Sequence, residues 1–155
     1  MPAQPAKAAT PNCAFSQLSV TAVGDSATGH IGVLLRFENR RTRQCRLTGY
    51  PGVAGLDAAG RQVIQALRTL HGFLPGVPTG RRPPVVVLAR GQSASAFVEG
   101  TDIPQGNDHA CPTYPKLLVT PPNTTQSVTI DMSMPGCSAV QVHPVVPGTS
   151  GALNA

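Results

Sequence analysis

The sequence predicts an all-β domain: a two-sheet antiparallel β-sandwich of immunoglobulin-like type, closed by two disulfides. Three observations predict it. Apolar and polar residues alternate with period two through most of the apolar segments, as half-buried strands require. The 155-residue chain carries 16 glycines and 16 prolines, which long helices cannot absorb. Its four cysteines, Cys13, Cys45, Cys111 and Cys137, are even in number and far apart. Without a C-x-x-C they suit disulfides in an oxidising compartment better than zinc or a redox pair. Charged residues make up only 12% of the chain, so self-repulsion does not hold it open. No apolar run approaches the ~20 residues of a membrane-spanning helix. A closed barrel is the second architecture compatible with the pattern.

Each element follows in order. Residues 1–12 read as a flexible tether left after removal of a secretion or lipoprotein signal, since they lack an apolar stretch of their own. The folded domain is expected over residues 13–147. Residues 14–23 alternate as a strand, and Gly24–Ala27 supply a turn. Residues 30–38 give the clearest strand, with Ile31, Val33, Leu35 and Phe37 inward. A polar loop from Asn39 to Arg43 leads to a strand over 44–50. Pro51-Gly52 ends it, and Val53–Leu56 with Gln62–Leu67 form a hairpin across Asp57-Ala58-Ala59-Gly60. The irregular stretch Arg68–Pro84 follows. Val85–Ala89 and Ser93–Glu99 are expected to pair across Arg90-Gly91-Gln92. After a polar loop come strands over 116–120 and 127–132, joined by a turn at Pro121-Pro122-Asn123. A last strand begins at Val140, and Pro144 places it at a sheet edge. Residues 148–155 lack large apolar side chains and are expected to be a disordered tail.

If the first three strands run up, down and up, Cys13 and Cys45 precede strands that start at the same end. Cys111 and Cys137 likewise flank one hairpin at a common end. The pairings Cys13–Cys45 and Cys111–Cys137 follow, out of three possible connectivities.

The residues offer little catalytic chemistry. Gly24-Asp25-Ser26 superficially matches a serine nucleophile segment, but Gly, Asp and Ser are ordinary turn residues. His30, His71, His109 and His143 show no metal-ligand spacing, and no cofactor motif is present. Two features stand out. The net charge of +5 falls wholly within residues 1–78 and concentrates in Arg36, Arg40, Arg41, Arg43 and Arg46. Period two puts Arg36 and Arg46 on solvent faces beside a loop carrying the other three, which suits phosphate or carboxylate polymers. The plainer alternative is a solvated face that keeps the protein soluble. The second feature is the long stretch after residue 67, with Arg68, His71, Phe73, Leu74, Arg81 and Arg82, which either covers a sheet edge or presents a binding surface.

Several segments also carry a resemblance: Cys13; Gly29-His30-Ile31-Gly32; Phe37-Glu38-Asn39; Cys45-Arg46-Leu47-Thr48-Gly49-Tyr50-Pro51-Gly52-Val53; Asp57-Ala58-Ala59-Gly60; Leu88-Ala89-Arg90-Gly91-Gln92-Ser93-Ala94; Cys111; and Pro121-Pro122. Together they resemble a family of actinobacterial, often mycobacterial-type, secreted proteins and lipoproteins with one extracytoplasmic domain of unknown function. Where many relatives have Trp, this chain has Phe97-Val98-Glu99. The resemblance implies an exported β-sandwich and no known activity, so it transfers no catalytic residue.

The resulting expectation is a non-catalytic secreted or cell-envelope module. Its expected partner is an anionic envelope polymer, a lipid surface or another secreted protein, with nucleic acid disfavoured by the scarcity of aromatics. The competing readings are a small extracytoplasmic hydrolase with a loop-assembled site, and a structural or antigenic surface protein without a specific ligand.

Overall fold

A computed structural model describes residues 10–27, 30–70, 82–101, 113–135 and 140–151, with the backbone alone at residues 25–27, 30–31, 101, 113 and 134–135. The all-β class holds there: the described residues form strands and one 3-10 turn, Phe15–Gln17, with no α-helix.

Strand β1 (Leu18–Ala27) pairs antiparallel with β2 (His30–Asn39) along its whole length. The turn expected at Gly24–Ala27 is therefore strand, with Asp25 opposite Gly32 and Ser26 opposite Ile31. The apolar run of β2 extends the ladder, and β1 lies at the sheet margin, where polar residues are tolerated. Next come β3 (Cys45–Thr48), β4 (Gly52–Leu56), β5 (Gln62–Gln65), β6 (Leu67–Arg68) and β7 (Val85–Leu88). The chain continues with β8 (Ser93–Thr101), β9 (Thr113–Tyr114), β10 (Lys116–Thr120) and β11 (Val128–Ile130). It ends with β12 (Met134–Pro135), β13 (Gln141–Val142) and β14 (Val146–Pro147).

A six-stranded sheet runs β1-β2-β8-β13-β6, with β14 also paired to β8. A four-stranded sheet runs β11-β10-β4-β5, and β3-β7 and β12-β9 form two-stranded sheets. Their inward faces share one core that includes Val33, Leu35 and Phe37 of β2, Leu47 of β3, Leu88 of β7 and Leu117 of β10. Burying side chains of this size is worth about 1.5–3 kcal/mol each.

Three pairings differ from the sequence expectation. Strand β7 pairs with β3, not β8. Both strands bury alternate residues in the same core, so alternation alone cannot tell neighbours in one sheet from strands in different sheets. The strand expected over Gln62–Leu67 divides at buried Ala66, whose N–H donates to Val53 O at 2.8 Å. Before it, β5 belongs to the four-stranded sheet; after it, β6 joins the six-stranded sheet beside β13, in parallel. Strand β13 is interior rather than an edge, lying between β8 and β6. Pro144 sits in the break between β13 and β14, where a missing N–H costs no ladder bond.

Cys13 and Cys45 are joined by a disulfide with a Cα–Cα distance of 4.7 Å. Residues 11–13 run parallel to β3, exchanging bonds Arg46 N to Pro11 O and Cys13 N to Arg46 O, both 2.9 Å. The cross-link closes a separation of 32 residues and is worth about 3–4 kcal/mol on a chain-entropy account. Cys111 and Cys137 lie outside the described residues. No helix among those residues is long and apolar enough to cross a membrane.

Candidate functional site

The loop between β2 and β3 is held from below by one side chain, Asn39, which is fully buried at the end of β2. Its Nδ2 donates to Leu88 O at 3.0 Å and to Arg43 O at 2.9 Å, and its Oδ1 accepts from Arg41 N at 3.0 Å. Arg40 N donates to Gln17 O at 2.8 Å, and Gln17 Nε2 donates to Arg43 O at 3.2 Å. A buried amide fully bonded in this way fixes the loop backbone. Arg40, Arg41 and Arg43 are exposed, and among the described residues none has a carboxylate partner. Arg41 Nε reaches only Ser16 O, at 3.4 Å.

The other two arginines of the predicted cluster stand elsewhere. Arg36 is on the face of β2 opposite Leu35 and Phe37, half-buried, with its Nε sealed from solvent and, among the described residues, without a hydrogen-bond acceptor. Arg46 is on the outward face of the β3-β7 sheet, where its Nε donates to Asn12 Oδ1 at 3.0 Å. The structure therefore brings Arg40, Arg41 and Arg43 together on one loop, with Arg36 and Arg46 on two different sheets. Of the long-loop candidates, His71, Phe73, Leu74 and Arg81 lie outside the described residues, while Arg82 is exposed. Arg68 lines a cleft of about 270 Å³ with Thr48–Tyr50, Gly52 and Thr120–Thr124. Parts of two segments that carry the family resemblance, Cys45–Val53 and Pro121-Pro122, meet at this cleft.

One constellation escaped sequence reasoning. Glu99 of β8 and His143, just after β13, are both fully buried, and His143 Nε2 is hydrogen-bonded to Glu99 Oε2. His143 Nδ1 faces the carbonyl of Thr69 at 2.9 Å. A carbonyl only accepts, so Nδ1 carries a proton. Thr69 Oγ1, 3.1 Å from Nδ1, can only accept from it, and its own hydrogen points to Gln141 Oε1 at 3.3 Å. The nucleophile-to-base hydrogen bond of a hydrolytic triad is thus missing here. A signal for this burial was present in the sequence. Phe97 shares the outward face of β8 with Glu99, and a large aromatic on a nominal solvent face indicates that the face is covered.

Elsewhere the carboxyl of half-buried Asp57 is held below its ordinary value, first by a hydrogen bond from the Arg61 backbone N–H at 2.8 Å. The Arg61 guanidinium and the Ala59 N–H act in the same direction, against a desolvation that opposes them. Among the described residues no group of three or more His, Cys, Asp or Glu is placed to hold a metal.

These features define a β-rich, disulfide-stapled domain. The chain belongs to the family described as a domain of unknown function, DUF4232, whose pattern it matches over residues 13–146. No curated protein and no solved structure matches it.

Proposed function

We propose that the protein is a non-catalytic, extracytoplasmic module with an immunoglobulin-like sandwich arrangement, binding anionic polymers or lipid headgroups of the cell envelope through Arg40, Arg41 and Arg43. One observation carries this reading: three exposed guanidinium groups with no carboxylate partner among the described residues, on a loop whose backbone is fixed by buried Asn39. A preformed loop loses little entropy on binding, and Arg forks match phosphate and carboxylate oxygens. The disulfide supports an oxidising compartment. The non-catalytic reading is supported by the Glu99–His143 pair, which is sealed from solvent and offers Thr69 no base.

Each exposed contact is screened beyond ~8–10 Å at physiological salt, so binding rests on several acting together and falls steeply with added salt. The test is retention on a heparin-like resin and on anionic liposomes. Replacing Arg40, Arg41 and Arg43 by Ser is expected to abolish retention while leaving the melting temperature unchanged. Elution of the triple variant and the parent at the same salt concentration would reduce the loop to a solubilising surface.

A further inference from the structure

We propose that the cleft between the ends of β4, β10 and β6 binds a carboxylate-bearing ligand of amino-acid to dipeptide size, with Arg68 and Tyr50 as its anchors. The cleft is distinct from the arginine loop, and its walls are tied to one another. Thr120 at the end of β10 stands opposite Gly52 at the start of β4. Asn123 Nδ2 donates to Thr48 O at 3.2 Å, joining the Pro121–Thr124 turn to the end of β3. The Thr124 hydroxyl donates to Pro121 O at 3.1 Å, and Val145 N donates to Gly49 O at 3.0 Å. Cross-tied walls make a preformed site, the usual condition of small-ligand pockets.

The donors that remain uncommitted identify the ligand. Arg68 arrives from the other sheet on β6, and its Nη2 lies over Gly52, 3.9 Å from where a Cβ would stand. Among the described residues its guanidinium has no hydrogen-bond acceptor and no carboxylate within 4.0 Å. The Tyr50 hydroxyl likewise has no partner there. The other hydroxyls are engaged: Thr48 Oγ1 donates to Pro84 O at 3.1 Å, and Thr120 Oγ1 is 2.5 Å from Ser127 Oγ. A planar cationic fork without an acceptor calls for an anion, and the Tyr50 hydroxyl and the second Asn123 Nδ2 hydrogen can donate beside it. One positive charge balances one negative charge, which favours a carboxylate over a phosphate dianion. Pro121 and Pro122 line the site with ring carbons, and Gly49 and Gly52 add no side chain, which leaves room for a short ligand side chain. A volume of about 270 Å³ suits one or two residues.

Such a carboxylate is either a free small acid or the C-terminal end of a peptide. The test is amide NMR of the intact protein titrated with N-acetyl-Ala-Ala, its C-terminal amide and acetate at matched ionic strength. The acid is expected to shift residues 48–52 and 123–124 saturably, with the C-terminal amide at least about tenfold weaker. Acetate binding as well as the dipeptide would point to a free acid; dipeptide binding alone would point to a chain end. Arg68→Met should lose about tenfold in affinity or more, and Tyr50→Phe several-fold. Gly52→Ala places a methyl 3.4 Å from Thr120 Cβ, ordinary contact, so it keeps the fold while weakening binding. It carries the test if Arg68→Met fails to fold. Equal binding of acid and amide, no saturable shift at millimolar acid, or a Gly52→Ala variant that binds like the parent would overturn the proposal. The Arg40, Arg41 and Arg43 triple variant should bind the dipeptide normally, which separates this site from the arginine loop.

Discussion

The paired strands β2 and β8 bury both of their faces, and they do so with opposite chemistry. Inward, Val33, Leu35 and Phe37 of β2 meet Ala94, Ala96 and Val98 of β8, apolar throughout and almost inaccessible to solvent. Outward, Leu34 and Phe97 form a small apolar pair beside buried Ser95, Glu99 and His143. The inner face is stabilised by area removed from water and tolerates many apolar combinations. The outer face holds a charged or proton-sharing pair whose desolvation cost is offset only while both partners are present. Equal burial therefore conceals unequal logic: one face fails by degrees, and the other by losing a partner.

The sharpest way to break this comparison is a pair of single substitutions followed by one double. Phe37→Ala should cost about 3–5 kcal/mol, as large cavities in cores do. Glu99→Leu should cost a similar ~3–5 kcal/mol, because it strands His143 without its partner. The double variant Glu99→Leu with His143→Leu should cost less than Glu99→Leu alone, since it also removes the stranded imidazole Nε2 and leaves the Thr69 carbonyl as the group that loses a donor. No second substitution around Phe37 should recover stability by that route. Urea unfolding of the four proteins checks this, and a double variant worse than the single would show that the outer face behaves like the inner one.

A smaller effect is expected where the chain end meets the outer face. Gly148 N donates to Ser93 O at 2.9 Å, and Gly151 N donates to Ser95 Oγ at 2.8 Å. Gly151 is buried with a φ of 71°, and an added Cβ would lie 2.7 Å from both Leu34 Cδ1 and Phe97 Cδ2. Gly151→Ala therefore combines a strained backbone with a clash and should cost about 1–3 kcal/mol. Thermal unfolding reads it directly. A melting temperature equal to the parent's would mean that residues 148–151 add nothing to the outer face.

That contact explains why part of the molecule was legible in the sequence and part was not. Val33, Leu35 and Phe37 announce themselves by alternation, and the Cys13–Cys45 bond follows from strand directions, because both depend on local pattern and chain path. Residues 148–151 read as tail because composition registers large side chains, whereas what docks here is backbone and the absence of a Cβ. Asn39 reads as the first residue of a polar loop, since its acceptor Leu88 O is 49 residues away in sequence. Arg68 reads as a loop residue. Its place beside Tyr50 depends on the crossing at Ala66 and on parallel pairing with β13, neither of which has a short-range signature. Phe97 was the one available warning that a nominally exposed face is covered.

Smaller still is the expected effect at Arg36, which shares the outer face of β2 with Leu34. Its buried Nε lacks an acceptor among the described residues, and an unsatisfied buried donor carries a penalty of about 1–3 kcal/mol. Arg36→Met keeps the aliphatic stem and removes the donor. Stability should stay level or rise by up to about 1 kcal/mol. A clear loss in urea unfolding would show that the guanidinium is anchored to the outer face after all.

The smallest effect concerns a region that belongs to neither face, the β4–β5 hairpin. Asp57 Oδ1 accepts from Ala59 N at 2.9 Å and from Arg61 N at 2.8 Å, and Oδ2 accepts from Arg61 Nε at 3.0 Å. These donors favour the charged carboxylate, so the folded-state pKa lies below the unfolded one. For a carboxyl lowered in this way, the stabilisation is fully present above the unfolded value of 3.8 and disappears as pH falls through the folded value. Asp57→Asn removes the titrating group and should therefore be less stable than the parent at neutral pH. The gap should begin to narrow below pH ~4 and close only once pH falls below the folded-state value, where the parent carboxyl is also neutral. Asp57 is half-buried at the surface and its partner Arg61 is exposed, so solvent and salt screen the pair, and the gap should be small and should shrink with added salt. The Asn oxygen can still accept from the Ala59 and Arg61 N–H groups and only the charge facing the Arg61 guanidinium is lost, so a gap that persists unchanged in acid would show that the substitution disturbs the turn itself.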